Sequence, residues 1–104
     1  MVTNFQHRAD PLKRHACVQA IVRFVDGNVR TFYSRDIDAH GVASKQWKYQ
    51  NLGYWVQYWK YRIENELPEG WKGRVLEGAI FHSFDGNRGD RIAQWDRNKG
   101  WQYS

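Results

Sequence analysis

Residues 16–25 alternate between apolar and mixed positions. Ala16, Val18, Ala20, Val22 and Phe24 share one face, and Cys17, Gln19, Ile21, Arg23 and Val25 share the other. Period two over this length predicts a β-strand with one fully apolar face and one mixed face. Asp26-Gly27-Asn28 is a turn signal, because Gly27 is free to take positive φ. The segment Val29-Arg30-Thr31-Phe32-Tyr33-Ser34 then reads as the return strand of a hairpin.

Residues 35–41 read as a connection. Helical spacing takes over by Lys45 and continues to about Glu66, with Ser44 as its N-cap and Pro68 and Gly70 as its stop. Three strands follow. The first, residues 74–84, contains the run Ala79-Ile80-Phe81, which predicts a strand covered on both faces. Residues 85–89 are expected to turn and residues 90–97 to form the next strand. Asn98-Lys99-Gly100 is a tight turn into a short last strand, Trp101 to Tyr103.

The order ββαβββ defines an α+β class: an antiparallel sheet of about five strands with one amphipathic helix packed on one face. Residues 1–15 are polar, contain Pro11 and show no period. They are expected to form a flexible or loosely docked basic arm, with residues 16–104 as a single domain. The expected core is Val18, Ala20, Val22, Phe24, Phe32, Leu52, Trp55, Val56, Trp59, Ile63, Ile80 and Trp95.

The predicted helix carries two stripes. At about 100° per residue, Leu52, Trp55, Val56, Trp59 and Ile63 cluster on one side as an ordinary core stripe. Trp47, Tyr54, Tyr58 and Tyr61 cluster on another. Gln50, Gly53, Gln57, Lys60 and Glu64 fill the wet arc. One sheet face covers an apolar stripe only slightly wider than about 100°, so the tyrosine flank calls for its own partner. Three coverings compete: the arm or the loop around Trp71, a second copy of the chain, or another molecule. Tyrosine suits a surface that is wet part of the time, since its body is apolar and its tip polar.

Composition and charge narrow the function classes. The 104 residues suit one domain, and 41% hydrophobic content with only two prolines is globular. The single cysteine, Cys17, allows no intrachain disulfide, and no apolar run reaches membrane-spanning or signal-peptide length. A cytoplasmic protein without membrane attachment is the expectation. Formal net charge is +5. Residues 1–60 carry nine Lys/Arg against four acids, whereas residues 61–104 carry seven of each sign, so the excess lies in the N-terminal part. A basic excess bears on affinity for polyanions.

Basic and aromatic residues interleave along the first hairpin and the helix, and this pattern leads to the first functional expectation: a non-enzymatic nucleic-acid-binding domain. Arg14, Arg23, Arg30, Arg35 and Lys48 would contact phosphates, and Tyr33, Trp47 or Tyr58 would stack on bases. A strand's normal alternation, with Arg outside and Phe inside, produces the same pattern. No RNP-type motif, zinc-finger spacing or helix-turn-helix accompanies it.

The second expectation is a protein-interaction module, a homodimer or an inhibitor-like protein of a mobile element, using Trp47, Tyr54, Tyr58 and Tyr61. The third is a small metal-dependent protein. Asp36, Asp38 and His40 share a face if the chain is extended there, but they lack further ligands, and acids before a helix also suit its dipole. Cys17, two residues from His15, is expected to be a buried small hydrophobe, and His82 a sheet histidine. Arg88-Gly89-Asp90 is expected to be a turn entering a strand. No phosphate loop, nucleophile elbow, calcium loop or cofactor motif is present.

Overall fold

The computed structural model describes residues 16–34 and 52–103. In chain order these form β1 (Val18–Phe24), β2 (Val29–Tyr33), α1 (Leu52–Glu64), a 3-10 turn (Glu69–Trp71), β3 (Val75–Phe84), β4 (Asn87–Asp96) and β5 (Gly100–Tyr103). The strands make one antiparallel sheet in the order β2-β1-β3-β4-β5. The fold is α+β in the expected ββαβββ order. The expected arm at 1–15, the connection at 35–41 and the first part of the expected helix, including Ser44, lie outside the described residues.

The turns show why the strands pair as they do. Asp26-Gly27-Asn28 and Asp85-Gly86-Asn87 spell the same tripeptide but are used differently. In the first hairpin, Asn28 stays in the loop and its backbone N–H donates to the Asp26 carboxylate at 3.0 Å. In the second, Asp85 and Gly86 both take positive φ, 53° and 86°. That is the backbone of a two-residue hairpin loop whose twist matches the strands. Asn87 is already paired with Phe84, so β4 begins three residues earlier than its apolar pattern suggests. The last hairpin closes with the Asp96 carboxylate accepting the Asn98 and Lys99 N–H groups at 2.8 and 3.3 Å.

α1 stops before Pro68, for a local reason. Glu66 sits in the left-handed region, with φ 53°. The Leu67 N–H bonds the Arg62 carbonyl at 2.9 Å and the Glu66 N–H bonds that of Ile63 at 3.1 Å. Together these two bonds form a Schellman closure, which satisfies carbonyls that a helix end otherwise leaves open. The Glu66 carboxylate accepts from Arg97 at 3.2 Å, and Arg97 also donates to the Val75 carbonyl at 2.7 Å. The non-glycine residue at this strained position is therefore tied to the ends of β3 and β4.

The core lies between α1 and the sheet. Val18, Ala20, Val22, Phe24, Trp59, Ile63, Ile80 and Trp95 are buried as expected, and Phe32, Leu52, Trp55 and Val56 are partly buried against them. Trp71, Val75 and Ala93 join the buried set. Trp71 comes from the loop after the helix and packs edge-on to Phe24 and tilted on Phe32, both at 5.3 Å between ring centroids. It closes one end of the core. Cys17 is buried, and the Ser34 hydroxyl accepts its backbone N–H at 2.8 Å. Helix and sheet approach closely at Gly78, where a Cβ atom would lie 2.9 Å from Ile63 Cγ2.

The apolar run of β3 is not enclosed on both sides. Ile80 is fully buried beneath the helix, while Ala79 and Phe81 are half-buried on the opposite, outer face.

Candidate nucleic-acid interface

The outer face of the sheet is set by register. Arg23 pairs with Glu77, Ile21 with Ala79 and Gln19 with Phe81 across β1 and β3. Odd-numbered residues from Gln19 to Arg23 and from Glu77 to Phe81 therefore project away from α1. Strict alternation along β4 would put Arg88 and Arg91 on opposite faces, since they are three residues apart. Two register shifts change this. Ile80 pairs with Ala93 but Phe81 with Arg91, which leaves Ile92 as an extra residue, and a second shift follows before Ser83 pairs with Arg88. Each bulge inserts one residue on β4 and re-aims the side chains beyond it. Arg88 and Arg91 thereby both face outward with Phe81.

The result is a shallow depression of about 230 Å3 lined by Ile21, Ala79, Phe81, Arg23, Arg88 and Arg91, with Gly78 in its floor. Three arginines and one carboxylate, Glu77, border it. The Arg88 guanidinium lies 5.0 Å from the Phe81 ring centroid, within cation–π range. Arg91 donates to Gln94 Oε1 at 2.5 Å. Arg23, Arg88 and Arg91 are exposed. Beside the depression, Gln19 is buried and its amide donates to Ser83 Oγ at 3.1 Å and to the Gly86 carbonyl at 3.2 Å, which fixes the tip of the β3–β4 hairpin.

The expected binding residues divide. Arg23 and Tyr33 belong to the outer face by register. Arg30 pairs with Val22 and so belongs to the helix side, where its guanidinium lies 5.2 Å from the Phe32 ring. Arg14, Arg35, Trp47 and Lys48 lie outside the described residues. Asp36, Asp38 and His40 do too, and among the described residues no three His, Cys, Asp or Glu side chains gather as a metal site. Arg88 and Arg91 are additions that strand alternation could not reveal, because their common face depends on the bulges.

The tyrosine flank is resolved residue by residue. Tyr54 and Tyr61 are 59% and 61% exposed, so neither the Trp71 loop nor the sheet covers them. Tyr58 is half-buried, edge-on to Trp55 and Trp59 at 5.0 and 5.3 Å, and its hydroxyl accepts from Arg62 at 2.6 Å. Tyr54 and Tyr58 stack at 6.2 Å between centroids. These rings join Trp59, Phe32, Trp71 and Phe24 in a continuous aromatic chain from the helix surface to the core's far end. Next to the flank, a second depression of about 610 Å3 is bounded by the tyrosines, Arg62, Leu67 and Pro68.

The outer face and the tyrosine flank are thus distinct surfaces on one α+β domain. No helix among the described residues is long and apolar enough to cross a membrane. Comparison with protein-family models, curated proteins and solved structures finds no match to this chain. The functional reading therefore rests on the chemistry of its surfaces.

Proposed function

We propose that the outer sheet face binds single-stranded nucleic acid without catalysis. One observation carries the reading: two bulges in β4 set Arg88 and Arg91 on the same face as Arg23, around the half-buried ring of Phe81. Arginine neutralises phosphate and releases counterions, and its guanidinium plane, like an aromatic ring, offers a stacking surface to an unpaired base. The depression is too shallow to enclose a base pair. A splayed base seated on the Phe81–Arg88 pair, with its flanking phosphates at Arg23 and Arg91, matches what the depression presents. The overall charge of +5 adds long-range attraction for a polyanion.

Fluorescence anisotropy with labelled ten-nucleotide poly(dT) and poly(U) tests this. Two phosphate contacts on a single strand predict a slope of log K against log salt of about −1.4. Arg88→Ala/Arg91→Ala should weaken binding about tenfold or more at low salt and bring the slope to about −0.7. Unchanged affinity and slope in the double variant would place binding elsewhere or nowhere.

A further inference from the structure

We infer that the tyrosine flank of α1 is a docking groove for a short proline-containing peptide that carries an acidic side chain. The inference is independent of the nucleic-acid reading, since it uses the opposite side of the sheet.

The groove is lined by seven residues, enough to seat a short extended segment. Spacing selects the conformation. Tyr54 and Tyr61 stand about 10.5 Å apart along the helix axis, at 1.5 Å per residue. One turn of a polyproline II helix, three residues, rises about 9.3 Å. Residues i and i+3 of such a peptide can therefore seat against the two exposed rings. Aromatic grooves favour this conformer because it is already extended before binding and loses little entropy.

The opposite wall is apolar, formed by Leu67 and Pro68. Tyr58 accepts its hydrogen bond from Arg62, which leaves the phenol O–H itself as a donor for a peptide carbonyl.

Charge selects the third requirement. Arg62 is half-buried, with its guanidinium 5.4 Å from the Tyr58 ring and 5.2 Å from the Trp59 ring. Its hydrogen bond is to a neutral phenol, and no carboxylate lies among the residues bounding the groove. Glu66, four residues on, is taken up by Arg97. Arg62 has donors to spare and a geometry suited to a carboxylate. An aspartate or glutamate beside the prolines supplies it.

The test uses the full chain and a displayed library of random dodecapeptides. Selection on the wild-type protein should enrich prolines three residues apart together with an aspartate or glutamate. Tyr54→Ser/Tyr61→Ser alters two exposed side chains and should weaken the enriched peptides about tenfold or more. Arg62→Gln should abolish the preference for the acidic residue. Any of these results overturns the inference: no enrichment over the starting library, enrichment without proline and acid, binding indifferent to the tyrosine variant, or a dimer in sedimentation that the tyrosine variant disperses. An oligonucleotide that displaces the peptides, and is itself lost in the tyrosine variant, would likewise reassign the groove to nucleic acid.

Discussion

At the residue scale, contact between helix and sheet depends on one missing side chain. Ile63 is fully buried, and its Cγ2 and Cδ1 lie 2.9 and 3.0 Å from where a Cβ on Gly78 would stand. Neither side can yield easily, because interiors pack at crystal-like density. Gly78→Ala should therefore destabilise the protein by about 1–3 kcal/mol, the usual range for overpacking. Chemical denaturation measures this, and Ile63→Val in the same chain should recover part of the loss by removing a methyl group. A stable Gly78→Ala protein would mean that α1 sits farther from β3. Neighbouring indoles carry a different burden. The Nε1 atoms of Trp55, Trp59 and Trp101 are buried without a hydrogen-bond partner, and each such group costs about 1–3 kcal/mol. Ring packing has to offset that.

At the element scale, turn chemistry sets the first hairpin and makes it sensitive to pH. The Asn28 backbone N–H holds the Asp26 carboxyl below its usual value of 3.8, with Arg74 at 3.2 Å acting in the same direction. A carboxylate whose folded pKa is depressed adds stability above its unfolded pKa and loses it as pH falls through the folded one. Asp26→Asn should thus lower the melting temperature at neutral pH, and the gap from wild type should close as pH drops below about 3.8. Because the group is exposed, the gap should be small and should shrink with salt. A gap that does not change between neutral and acid pH would remove the ionic part of the explanation.

The same scale shows what the sequence could and could not disclose. Alternation in β1 and the 3.6-residue spacing of Leu52, Trp55, Val56, Trp59 and Ile63 were enough to place both elements and their buried sides. The end of α1 falls close to the expected Glu66, but it is the left-handed Glu66 that closes the helix, before Pro68 is reached. Trp71 was unreadable as core because loops carry no period. The arginine trio was hidden for a stricter reason: period-two reading assumes an unbroken ladder, and β4 is broken twice.

At the scale of the molecule, one aromatic network unites the layers. Trp59 stacks on Phe32 of β2 at 5.2 Å and meets Tyr58 edge-on, so it links the sheet edge to the helix surface. Trp59→Ala should cost about 3–5 kcal/mol, as large aromatic truncations in cores do, and calorimetry should show a melting point lower by roughly 10–20 °C. A barely altered melting point would dissociate the network from the core. Charge is spread differently from mass. The described residues hold ten basic against eight acidic side chains, so more than half of the +5 belongs to residues 1–15 and 35–51. The N-terminal excess read from the sequence is thus carried mainly by residues 1–15 and 35–51, and the positive character of the outer face arises from how three arginines are gathered there.

The two extra residues of β4 let Arg88 and Arg91 share a face at an odd spacing. Removing Ile92 alone would restore even pairing beside Ile80 and still leave Arg91 opposite Phe81 on the outer face, with only the local twist of the strand relaxed. A related chain one residue shorter at either bulge would therefore keep the same arginine cluster on the same face, by plain alternation in place of the kink.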